Sequence, residues 1–157
     1  MGVTMASSKA PNPIKMITDA FDLFDVAVAT SVKKFEEKEL IPASTTSSFI
    51  LGSSIELALM GYLTHKGFDK DELVNINHDL EIALEKANKA GLNTITTLSE
   101  EYIGSVLELN SEFKHQNIEI TDLNQSKTKV LVNLKNGTHH LLTTIADEIG
   151  LNNIVAI

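Results

Sequence analysis

The chain reads as all-α: a four- to five-helix up-and-down bundle with a short β-hairpin or extended loop before the last helix. Three observations predict this class. Apolar residues recur at three- and four-residue spacing in five segments, capping residues stand ahead of those segments, and glycines follow several of them. A chain of 157 residues suits one core, with about two-thirds of the unfolded surface buried at this size. Residues 1–12 read as a flexible N-terminal segment and 13–157 as one helical domain.

The first helix opens at Pro11-Asn12-Pro13, with Asn12 as N-cap and Pro13 at the first helical position. Ile17, Phe21, Phe24, Val28, Val32 and Phe35 then form one apolar stripe. Asp19, Asp22 and Asp25 lie early and Lys33 and Lys34 late, which complements the helix dipole along a solvated face. Ile41-Pro42 breaks the pattern. The Ser44–Ser48 cluster opens a second helix running to Lys66, with Gly67 as its left-handed cap. This helix is apolar almost all round and carries one charge, Glu56, so it reads as the buried centre of the molecule. Gly52 and Gly61 permit close helix contacts there, and Met60 is core filler. A carboxylate at Glu56 would need a partner or would titrate high.

After a turn through Phe68–Ile76, Asn77 is expected to cap a third helix that buries Leu80, Ala83, Leu84 and Ala87 and ends at Gly91. Ser99 caps a fourth, with Tyr102, Ile103, Val106, Leu107 and Phe113 on its apolar face. Between Lys114 and Lys135 the pattern changes: Ile118–Thr121 and Val130–Leu134 alternate or are β-rich, which suggests the hairpin or loop. Thr138 is expected to cap the last helix, which buries Leu141, Leu142, Ile145, Ala146 and Ile149 and stops at Gly150.

Composition removes several function classes. There is no cysteine, hence no disulfide, thiolate metal site or cysteine nucleophile. The net charge is −8 and all 13 basic residues are lysine, which argues against a dedicated nucleic-acid binder. No secretory signal or membrane-spanning stretch is apparent, so the expected compartment is the cytoplasm. No phosphate-binding glycine loop, dinucleotide fingerprint, HExxH or G-x-S-x-G motif occurs, and neither a cofactor nor a metal is expected. The five histidines form no recognisable metal set. His65 and His115 read as surface residues, and His78-Asp79 as a helix start whose side chains bond free backbone groups.

The run Ser54-Ile55-Glu56-Leu57-Ala58-Leu59-Met60-Gly61-Tyr62-Leu63, followed by Asn77-His78-Asp79-Leu80, resembles HEPN domains (higher eukaryote and prokaryote nucleotide-binding), helical bundles found in many bacterial proteins. The similarity spans roughly residues 49–91. Met60 departs from a common lysine and Asn77 from a common glycine. The resemblance implies Glu56, His78 and Asp79 as binding residues. Many such domains are metal-independent ribonucleases with an arginine, a polar residue, and a histidine four to six residues after the arginine. Lys135-Asn136-Gly137-Thr138-His139-His140 is the nearest match. In that role His140 would be general base toward a ribose 2′-hydroxyl, and Lys135 would stabilise charge on phosphorus beside the free N–H groups of a helix start. Lysine lacks arginine's planar fork, so the alternative for these residues is a capped helix start with solvent-facing histidines.

Three functions are carried forward. The first is a noncatalytic HEPN-like binding or interaction protein, a homodimer that binds nucleotide or RNA or pairs with a nucleotidyltransferase. The second is a metal-independent endoribonuclease using Lys135, Asn136 and His140. The third is a helical scaffold or dimerisation module.

Overall fold

A computed structural model describes residues 12–36, 45–115 and 125–151. Among the described residues every regular element is helical: α1 (Pro13–Glu36), α2 (Thr45–His65), α3 (Lys70–Val74), α4 (Leu80–Lys89), α5 (Leu92–Ile95), α6 (Glu100–Phe113) and α7 (Gln125–Ile149). Residues 1–11 of the expected N-terminal segment 1–12, and the Ile118–Thr121 half of the expected hairpin, lie outside the described residues.

Local chemistry accounts for most helix ends. Asn12 Oδ1 accepts from the backbone N–H of Ile14 at 3.0 Å and of Lys15 at 3.2 Å, so it caps α1 as its sequence implies. The face of α1 that turns inward is Ile17, Ala20, Phe24 and Ala27. At the end of α2, Gly67 adopts φ +100° and the Phe68 N–H reaches back to the Leu63 carbonyl at 3.0 Å, a left-handed stop that side chains with a Cβ resist. Gly91 and Gly150 end α4 and α7 in the same left-handed region.

The centre of the molecule is α2, which packs against α1, α4, α6 and α7. Leu51, Ile55, Ala58, Leu59, Tyr62 and Leu63 are all buried along it. Its two glycines mark where neighbours come closest: a Cβ on Gly52 would overlap the Phe113 ring, and one on Gly61 would stand 3.1 Å from Ile17. Ser54 is buried without penalty because its hydroxyl donates to the Ala20 carbonyl at 2.7 Å.

Five local expectations are corrected. The Phe68–Ile76 turn contains α3, started by a capping box in which Asp69 and Glu72 each bond the other's backbone N–H. The cap of α4 is Asp79 rather than Asn77; its Oδ1 accepts from Glu81 N at 3.1 Å and Ile82 N at 3.3 Å. Leu107 is exposed rather than inward, and Leu109 and Asn110 take the inner face of α6. Val130–Leu134 is not a strand but part of α7, and Thr138 lies inside that helix rather than capping it. Leu134, Thr138, Leu141 and Ile145 are buried at helical spacing, so burial of one long face overrides the β preference of Val130 and Val132. Ser99 caps α6 as expected, accepting from Tyr102 N at 3.1 Å.

Candidate functional site

The residue pattern 135–140 changes meaning once α7 is continuous. Lys135 stands about three turns inside the helix, so the free N–H groups and positive dipole end expected beside it are absent. On an α-helix, five residues separate Lys135 and His140 by about 140° around the axis. Lys135 is not among the residues that line the cleft beside His140. Asn133, Asn136, Gly137 and His140, by contrast, follow helical spacing and line one cleft of about 280 Å³. The opposite wall comes from the chain entering α6: Thr97, Leu98, Ser99 and Tyr102.

The walls of this cleft are fixed by specific bonds. His140 Nε2 meets Thr96 Oγ1 at 2.7 Å, which pins the imidazole to the α5–α6 connection. The hydroxyls of Tyr102 and Thr138 pair at 3.0 Å in the core. Burial pushes the Tyr102 phenol well above its ordinary pKa, partly offset by that bond, so it stays neutral as a donor or acceptor. Gly137 explains itself here: a Cβ would overlap the Tyr102 ring, so a residue unfavourable in mid-helix is the one that lets α6 and α7 approach. Among the described residues, the carboxamides of Asn133 and Asn136 have no hydrogen-bond partner, and Asn136 is exposed.

A second cluster gathers two of the three residues expected to bind. The Glu56 carboxylate, 13% exposed, faces His78 Nδ1 with its oxygens at 3.0 and 3.1 Å. The partner that a largely buried glutamate needs is therefore His78. The His78 ring also sets its edge against Phe113 at 6.4 Å between centroids. Asp79 turns away to cap α4 and accepts a further bond from Asn110 Nδ2 at 2.9 Å, while Asn110 Oδ1 takes the Leu80 N–H at 2.8 Å. Asn77 and His78 both adopt left-handed backbone, φ +51° and +63°.

Asn110 carries a signal that the helix pattern alone does not weigh, a buried polar residue amid Val106, Leu109 and Phe113 on one helical face. The remaining histidines are peripheral. His65 and Lys66 approach Glu148 at 4.0 Å, tying the end of α2 to the end of α7. His139 packs against Phe24, and His115 is exposed. Burial and the Glu148 carboxylate raise the Tyr62 phenol. Among the described residues no three histidine or carboxylate side chains come together as metal ligands, and no helix is long and apolar enough to cross a membrane. Comparison with known families, curated proteins and solved structures found no match.

Proposed function

We propose that this chain is a noncatalytic helical binding protein, of the HEPN-like kind that residues 49–91 resemble, and that the α6–α7 cleft is its ligand site. One observation carries the reading: Asn136 and His140 share a cleft with Asn133, Ser99 and Tyr102, while Lys135 lies off it. Converging polar groups over an apolar floor are the usual form of a small-ligand site. The ribonuclease alternative loses support from the same geometry. A base and a cation must meet at one phosphate, and here Lys135 is not part of the cleft lining and Thr96 already engages the histidine. Homodimerisation and a nucleotidyltransferase partner rest on the resemblance and accompany this reading.

The test uses the isotope-labelled full chain, titrated with the small-molecule fraction of a cell extract and, separately, with mixed RNA in EDTA. Saturable shifts at Asn136 and His140 with intact RNA are expected. RNA cutting that disappears in both His140→Ala and Lys135→Ala would replace binding by catalysis. A cleft silent to the extract would remove the ligand site and leave the scaffold reading.

A further inference from the structure

The chemistry lining the cleft narrows what can occupy it. None of the eight lining residues carries a fixed charge. The residues that follow the lining Ser99 are Glu100 and Glu101, in the first turn of α6, so the positive end of that helix is already met by acids. An anion entering the cleft would give up its hydration without gaining a cationic partner, in a chain of net charge −8. A cation would find no carboxylate on the walls.

What the walls do offer is two primary carboxamides on one face of α7, each with an acceptor oxygen and a donor NH₂. Such groups pair most fully with another amide edge, one N–H beside one C=O, as they do on base edges. The other hydroxyl and ring groups are largely committed: Ser99 to the Tyr102 N–H, Tyr102 to Thr138, His140 Nε2 to Thr96. The two asparagines and the Thr97 hydroxyl are therefore left to specify a ligand, and of these only the asparagines carry a donor and an acceptor side by side. At the base of the cleft the buried Tyr102 ring packs against the bare backbone of Gly137, and because an amide edge is itself planar, the part of a ligand that pairs with the carboxamides is flat. The volume, about 280 Å³, lies just below the usual range of ligand sites, so only a small ligand fits.

Building on the binding reading above, we infer that the cleft takes a neutral, planar ligand with an amide edge, of one ring or two fused rings, held by Asn133 and Asn136. Phosphate-bearing and carboxylate-bearing versions of the same ring are rejected for want of a cation.

Matched neutral and acidic pairs test this: nicotinamide against nicotinate, and uracil against orotate, titrated into the labelled full chain while the side-chain NH₂ signals of Asn133 and Asn136 are followed. The two neutral compounds are expected to saturate with Kd on the order of 0.1–10 mM, as suits so small a ligand, and their acids to bind at least about tenfold more weakly. Asn136→Ala and Asn133→Ala should each weaken the neutral compounds about tenfold, the worth of one good hydrogen bond. If the alanine variants lose the native spectrum, Asn136→Gln, which keeps the amide and shifts it by one carbon, serves the same comparison. Acids that bind as tightly as their amides would overturn the neutral-ligand inference and leave the binding reading intact. A cleft that answers the cell extract but neither neutral compound would overturn the ligand class alone, whereas silence to both would take the binding reading down with it.

Discussion

The α6–α7 cleft and the Asn77–Leu80 turn are built from the same residue types, asparagine, histidine and a hydroxyl or carboxylate partner, yet they spend their polar groups in opposite ways. At the turn, Asn110 answers both Asp79 and the Leu80 N–H, and Glu56 occupies His78. Two left-handed residues are held in place by that network, a conformation that persists only where the surroundings over-determine it. At the cleft, Ser99, Tyr102 and His140 are tied down, but the two carboxamides have no hydrogen-bond partner among the described residues. The difference separates structure from recognition: a saturated network rigidifies, and an unsaturated one at a concave surface is what a ligand can use.

The largest expected departure is alkaline. Tyr102 and Tyr62 both have phenols raised in the folded state, Tyr102 by its burial foremost and Tyr62 by burial and Glu148. The native state therefore holds protons that the unfolded chain releases near the ordinary tyrosine value of about 10. Stability is full below that pH and falls as pH rises beyond it, by up to about 1.4 kcal/mol per pH unit for each such group. Urea unfolding followed between pH 9 and 12 should show this slope in the wild type and a shallower one in Tyr102→Phe. An unchanged slope would mean that the phenol is not buried beside Thr138.

A smaller effect compares the two asparagines directly. Asn110→Ala leaves the Leu80 N–H without its partner and should cost about 2–3 kcal/mol of unfolding free energy. Asn136→Ala at the cleft should lie within about 0.5 kcal/mol of wild type, as surface substitutions do. Equal losses at both positions, read from denaturant midpoints, would erase the distinction between a saturated turn and an open cleft. Smallest of all is Asn77→Gly. It relieves left-handed strain of about 1 kcal/mol but loosens the unfolded chain by a similar amount, so a net change of about 0.5 kcal/mol or less is expected. A loss several times larger would assign the Asn77 side chain a holding role in the turn.

Local signals were read well where the bonding is local. Asn12, Ser99, Gly67, Gly91 and Gly150 act where their types and positions implied, and the four inward residues of α4 are those its spacing named. The failures share a cause. Asn136-Gly137-Thr138 looks like a turn followed by a cap when read alone, and Val130–Leu134 looks like a strand, because local preference is the only term available. Packing of Gly137 on Tyr102 and burial of Leu134 and Thr138 supply the missing terms. Once that stretch is helical, the expected catalytic set comes apart: Asn136 and His140 go to the cleft and Lys135 does not.

By itself the sequence determined the helical class, several helix ends and the central place of α2, since capping bonds and hydrophobic period act within a few residues. Only the tertiary structure decided that Glu56 meets His78, 22 residues away, and that Thr96 holds His140, 44 residues away. Such encounters depend on how whole helices cross, and a crossing is set by the shapes of both packed faces together rather than by either segment alone.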